Sequence, residues 1–250
     1  MDFGPIRNKR AYEEVAANIR EMVVSGRLKQ GDKLPPEREL SQRLGVGRHA
    51  LREALRTLEM AGLIETRLGK WGGTFVTGGR PQIVSEQMTD LLRMGNVSYA
   101  SVTEARILFG DVVVRAAVER HTPEDIAAME ANIDAAERLF AEGRLMEKTE
   151  KNIEFHNILA RATKNPTLVI LMQSLTDMAT YFARNIGPDP ASTTVRSRRL
   201  FMQAFIARDS DAAVEEMRAS LVQLHAVHLD LAARHQDVSE PRSGQSASRA

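Results

Sequence analysis

The chain has 250 residues, 43% hydrophobic and 27% charged, with 34 Lys+Arg against 33 Asp+Glu; this suits two modest domains of ordinary globular composition. It contains no cysteine, which excludes a disulfide framework and a thiolate metal site. Its longest apolar runs, such as Leu168 to Met172, fall far short of the ~20 residues of a membrane span, and residues 1–20 lack the apolar core of a secretory signal, so a cytoplasmic protein with no membrane partner is expected.

The net charge of +1 hides an asymmetry: residues 1–80 carry 15 Lys+Arg against 10 Asp+Glu, and the rest carries 19 against 23. A basic first unit on an acidic body points to a polyanionic partner for the first unit alone. Val15, Ile19, Met22 and Val23 stand at helical spacing over residues 11–24, which Ser25-Gly26 ends. Pro36 suits the first position of a second helix that buries Leu40 and Leu44 and stops at Gly45. Gly47 then opens a third helix, from Arg48 to about Ala61, closed by Gly62. The near-alternating segments 63–67 and 74–77, joined by Gly69-Lys70-Trp71-Gly72-Gly73, read as a β-hairpin with a glycine-rich tip.

Three helices and a hairpin define a winged helix-turn-helix over residues 1–78, with a linker at 79–84. From residue 85 to 235 the pattern is helical throughout, broken at Gly95-Asn96, Gly143, Lys164-Asn165, Gly187-Pro188 and Arg208-Asp209. Thr122-Pro123 and Asn165-Pro166 are helix starts, each with a capping side chain and an N1 proline. Six or seven helices and no strand predict a helical bundle. The Ser-, Gly- and Pro-containing stretch 236–250 reads as a disordered tail. The fold class is therefore mainly α: an N-terminal winged helix-turn-helix and a C-terminal all-α helical bundle.

On a helical wheel for residues 48–59, Leu51, Ala54, Leu55 and Leu58 share one arc, and Arg48, His49, Arg52 and Arg56 share the next. The apolar arc docks the helix on its own domain; the basic arc faces outward, where arginine can bridge guanine O6 and N7 or clamp a phosphate. Residues near the helix start reach base edges best, which favours Arg48, His49 and Arg52 over Arg56. At the hairpin tip, glycines such as Gly69 allow close approach to the sugar-phosphate chain and Lys70 neutralises charge. Trp71 reads as a shield for the hairpin base or as a ring packed on a DNA sugar edge.

Tyr12, Gly26, Leu28, Gly31, Lys33-Leu34-Pro35, Glu37-Arg38-Glu39-Leu40, Leu44-Gly45-Val46, Arg48, Leu51-Arg52-Glu53-Ala54-Leu55, Leu58-Glu59, Gly62-Leu63 and Gly73-Thr74-Phe75-Val76 together resemble the DNA-binding domain of GntR-type bacterial transcriptional regulators. The resemblance implies operator contacts by Arg38, Arg48 and Arg52, with the Gly69 tip in the minor groove. Gly47 departs from the usual Ser or Thr, which caps the recognition helix and contacts phosphate. Further on, Glu104-Ala105-Arg106, Phe155-His156, Asn165-Pro166 and Ala204 to Asp209 resemble landmarks of the FCD-type effector domain of the FadR subfamily.

That domain commonly holds a divalent metal through an Asp and a His four residues apart and two later histidines. The matching positions here read Asn152, His156, Arg198 and Ser220. Arg198 brings a fixed positive charge to where the cation would sit, so no metal and no other cofactor is expected. His225 and His228 lie out of register with those positions. The resemblance makes Arg106 a carboxylate contact, and the expected effector is a small anion, an organic acid or acyl derivative, held by Arg106, Asn152, His156, Arg198 and Ser220.

The chain is thus expected to be a ligand-responsive regulator, most simply a repressor, that binds double-stranded palindromic operator DNA as a homodimer. The competing readings are the same regulator with a metal-assisted effector site and an effector-free architectural DNA-binding protein. No Ser/His/Asp spacing, phosphate loop or HExxH stands in the sequence, so an enzyme is not expected.

Overall fold

A computed structural model describes residues 11–95, 97–190 and 193–239. Its internal contacts separate two compact units between Ile83 and Val84.

In the first unit, α1 (Ala11–Val24), α2 (Glu37–Leu44) and α3 (Arg48–Met60) precede a two-stranded antiparallel sheet, β1 (Ile64–Arg67) and β2 (Gly73–Val76). The register pairs Ile64 with Val76 and Arg67 with Gly73, so residues 68–72 form the tip. Residues 31–34 add a short third rung, with Lys33 bridged to Phe75 and the Leu34 N–H donating to the Thr74 carbonyl at 2.8 Å. Val15 and Ile19 of α1, Leu40 of α2, Leu51, Ala54, Leu55 and Leu58 of α3, and Ile64 and Val76 of the hairpin fill one core. The α3 residues in that core are the arc the helical wheel selects.

Two short helices cannot hold a fixed angle by propensity alone, so their turn has to be specified. Gly45 does this in the left-handed region, φ 65°, where a side chain is strained. Its N–H donates to the Gln42 carbonyl at 3.2 Å, and the Val46 N–H to the Ser41 carbonyl at 3.1 Å. Pro36 takes the N-cap of α2, one position ahead of the expected N1. Gly47 caps α3 with an extended backbone and no side-chain hydrogen bond.

Seven helices follow among the described residues: α4 (Gln82–Arg93), whose first two residues precede the boundary, and, within the second unit, α5 (Tyr99–Arg120), α6 (Pro123–Ala141), α7 (Leu145–Ala162), α8 (Pro166–Ile186), α9 (Thr193–Ile206) and α10 (Ser210–Ser239). Residues 82–84, expected in the linker, already belong to α4, and residues 236–239, expected in the tail, continue α10. The rest of the expected tail, 240–250, lies outside the described residues. The helix starts at Thr122 and Asn165 form as read: Asp125 accepts the Thr122 N–H at 2.8 Å, and Asn165 Oδ1 accepts from Thr167 at 3.0 Å. The central core joins Val113, Val114 and Ala117 of α5, Met129 and Ile133 of α6, Phe155 and Leu159 of α7, Phe201 and Phe205 of α9, and Met217 and Leu221 of α10. Among the described residues no helix is long and apolar enough to cross a membrane.

Leu51 is fully buried where α3 meets α1 and α2. Leu51→Ala is expected to lower the stability of the first unit by about 2–5 kcal/mol, read as an earlier denaturant midpoint at unchanged slope.

Candidate DNA-binding face and effector pocket

Packing of the Leu51 arc leaves Arg48, His49, Arg52 and Arg56 exposed on α3, with Arg38 exposed on α2. Arg52 Nε donates to Glu37 Oε2 on α2 at 2.8 Å, rather than pairing with a neighbour on its own helix. Both partners are largely exposed, so the pair is worth little and its guanidinium can exchange onto DNA. Glu59 turns away from the basic arc: Oε1 accepts the Thr66 N–H at 2.8 Å, and its carbonyl accepts from Arg80 at 2.7 Å, tying α3 to the hairpin. Gly69 and Lys70 lie exposed at the tip. Trp71 does not shield the hairpin base. It is 84% exposed, because Phe75 covers the strands, with the Arg67 guanidinium 4.5 Å and the Lys33 amine 5.5 Å from its ring centre.

The second unit encloses a cavity lined by Arg106 and Tyr99 of α5, Thr149, Asn152 and His156 of α7, and Arg198 of α9, with Asp189, Thr194 and Leu224 completing the wall. Spacing explains the α7 contribution: residues 149, 152 and 156 fall on one helical face. The cavity has room for about one water molecule. Ser220 is buried on α10 but does not line this cavity; Leu224, one turn on, does.

Arg198 and Arg199 are adjacent, and α9 sends them opposite ways. Arg199 reaches outward to Glu137, at 3.0 Å, and Asp134, at 2.6 Å. Arg198 points inward with 3% of its surface exposed. Its Nη2 donates to His156 Nε2 at 2.9 Å, its Nη1 meets the Met217 sulfur at 2.9 Å, and its guanidinium lies 4.4 Å from the Phe155 ring centre. None of these partners is an anion. Arg106 is equally buried. Among the described residues, the Nε and Nη2 of Arg106, the Nε of Arg198 and the Nδ2 of Asn152 are buried with no hydrogen-bond partner. Buried donors in this state are rare and costly.

Burial and then the like charge of Arg106 pull the Arg198 guanidinium down to about 9, and burial lowers Arg106 as well. Burial, reinforced by Arg198 and Arg106, holds His156 well below the usual imidazole range. His156 is therefore neutral, and its Nε2 lone pair accepts from Arg198. Asp189 is the carboxylate in the wall, and it is engaged elsewhere: Lys148, fully buried, donates to its Oδ2 at 3.1 Å and to its carbonyl at 2.9 Å. The Thr194 hydroxyl donates to Asp189 Oδ2 at 2.9 Å, and the Asp189 N–H donates to the Thr149 hydroxyl at 3.2 Å.

These donors do not fit a divalent metal. A guanidinium repels it, the one imidazole has its Nε2 lone pair engaged, and Asn152 and Ser220 supply no charge. Among the described residues no group of three or more His, Asp or Glu is placed to hold an ion. His225 stacks on Tyr99, ring centres 5.4 Å apart, and the side chain of His228 lies outside the described residues.

Tyr99, Thr149, Asp189 and Thr194 are wall residues that sequence reasoning missed. The polar spacing of Thr149 with Asn152 and His156 was a usable signal; Asp189, inside a Gly-Pro-Asp-Pro turn, offered only a helix break.

A winged helix-turn-helix with an exposed basic helix face, followed by an all-helical unit, is the architecture of a DNA-binding transcriptional regulator. Residues 11–76 match the bacterial regulatory proteins of the gntR family, and residues 101–223 match the FCD domain. The chain is 32% identical over 165 residues to the Uxu operon transcriptional regulator of Escherichia coli, covering 66% of this chain and 63% of that one. It is 31% identical over 157 residues to the HTH-type transcriptional regulator LutR of Bacillus subtilis, covering 63% and 70%. The solved structure of a Streptococcus agalactiae GntR protein superposes with a TM-score of 0.64 at 22% identity, over 86% of this chain and 99% of that one, which shows the shared fold. The chain belongs to the GntR family of bacterial transcriptional regulators, with an FCD effector domain.

Lys148→Ala withdraws the cation paired with Asp189 in a site closed to water. It is expected to destabilise the second unit by about 3–5 kcal/mol, seen in chemical denaturation, with Lys148→Arg retaining part of the loss.

Proposed function

We propose that this regulator is a homodimeric repressor in the cytoplasm. It binds a palindromic operator through Arg38, Arg48, His49, Arg52, Gly69 and Lys70, and a small organic anion modulates it without a metal. The observation that carries the effector assignment is the pair of buried guanidiniums, Arg106 and Arg198, whose free N–H groups line one cavity while its carboxylate, Asp189, is held by Lys148. A carboxylate supplies charge and acceptors together, and bidentate geometry suits a guanidinium. Asn152 Nδ2 provides a further donor. His156 orients Arg198 as a neutral acceptor.

Regulation requires the anion to have different affinity for the DNA-bound and free arrangements. A two-fold protein matches a two-fold site, which supports the dimer and the palindrome. Exposed Leu108 and Val112, one turn apart on α5, offer an apolar face for a second copy.

On a duplex enriched from a random pool by the full-length chain, Arg52→Ala and Arg48→Ala are each expected to cost about 1–3 kcal/mol and to relax base preference, measured by gel shift. Unchanged affinity for both variants would remove them from the interface.

For the pocket, thermal melting with a panel of small mono- and dicarboxylates should give a shift that Arg198→Ala and Arg106→Ala abolish and that chelator leaves intact. Because both guanidiniums carry their charge at neutral pH, the shift should persist across the neutral range. A shift lost to chelator would favour the metal-assisted site instead. Wild-type shifts in both arginine variants would refute the anion site.

A further inference from the structure

The tip between β1 and β2 displays the one tryptophan of the chain. The Gly72 N–H donates to the Gly69 carbonyl at 2.8 Å, closing a turn with Lys70 and Trp71 at its centre. A Cβ at Gly72 would stand 2.3 Å from the Arg67 carbonyl oxygen and 2.8 Å from that of Gly69, so the backbone packs too tightly there for any side chain. On this fixed turn Trp71 is 84% exposed and Leu68 is 95% exposed.

A single exposed apolar side chain needs no explanation. Two large apolar side chains exposed on one hairpin tip do, and their surroundings indicate the partner. The Lys70 amine lies 5.9 Å from the indole centre, and Lys33 and Arg67, the latter in an exposed pair with Glu65, flank the strands over Phe75. Apolar tip and cationic flanks match a polyanion with apolar planes inside it, namely base pairs between phosphate chains. The minor groove, roughly 6 Å wide, admits side chains of a hairpin turn but not a helix.

We propose that Trp71 and Leu68 form a wedge that enters the minor groove, partly unstacks one base step and bends the operator. Trp71 stacks on the opened base pair and Leu68 covers the adjoining sugar. Wedges of this kind kink a duplex by about 20–90°. Pyrimidine–purine steps open most cheaply, so the wedge selects a TA or CA step beneath the tip without any hydrogen bond to it. The inference rests on the DNA-binding reading.

Indole emission in this chain reports on Trp71 alone. With the full-length protein and the duplex enriched by the wild-type chain, binding is expected to quench that emission and to shield the indole from acrylamide. Trp71→Ala should weaken binding about tenfold and reduce the bend in circularly permuted gel shifts, with Leu68→Ala acting in the same direction. Since no charge is removed, the salt dependence of binding should not change. Trp71→Phe should keep most of the bend. An indole as open to acrylamide in the complex as in the free protein, or Trp71→Ala with wild-type bend and affinity, overturns the wedge while leaving DNA binding in place. Failure of the wild-type chain to enrich any duplex overturns both.

Discussion

A guanidinium taken out of water must replace its hydration, and Arg198 replaces only part of it. His156, Met217 and the face of Phe155 supply an acceptor lone pair, a polarizable sulfur and a π cloud, while Arg106 adds a second positive charge nearby. Much of the second unit reads as a response to this pair. His156 stays neutral because both arginines oppose its protonation. The acid that could have paired with them, Asp189, is instead held by a fully buried lysine and two threonines. The wall thereby keeps its positive potential available, and the same Asp189 contacts fix the turn between α8 and α9 against α7.

The first unit answers a different constraint, the shortness of its helices. Eight residues in α2 and thirteen in α3 are too few to persist without tertiary support, so the α2–α3 angle is set by Gly45 and by leucines converging from α2 and α3. This leaves the polar arc of α3 free of structural duty. Its one observed tether, Arg52 to Glu37, is exposed and exchangeable. A recognition surface can vary in sequence only where packing makes no demand on it.

What could be read from the sequence divides along the range of the interaction. The α3 arcs, the glycine stops and the Thr122 and Asn165 starts depend on neighbours within a turn or two and were legible. So was the hairpin, though not the fate of Trp71: nothing local told that Phe75, flanked by Lys33 and Arg67, already covers the strands. Arg198 and Arg199 look alike in isolation; resemblance to a ligand position singled out the inward one, and only the packing of α9 shows that its neighbour takes Asp134 and Glu137. Ser220, drawn from the same resemblance, sits on the right helix, yet the cavity wall is reached by Leu224. Lys148 and Asp189 are 41 residues apart, and a pairing at that separation leaves no periodic trace.

With space for about one water, the resting cavity cannot admit an organic acid. For any ligand larger than water, side chains around Tyr99 and Leu224 have to yield first, and its apparent affinity is the intrinsic affinity discounted by the population of the opened form. Looser packing around Tyr99 and Leu224 would then tighten binding without touching the ligand, and filling the cavity would weaken it.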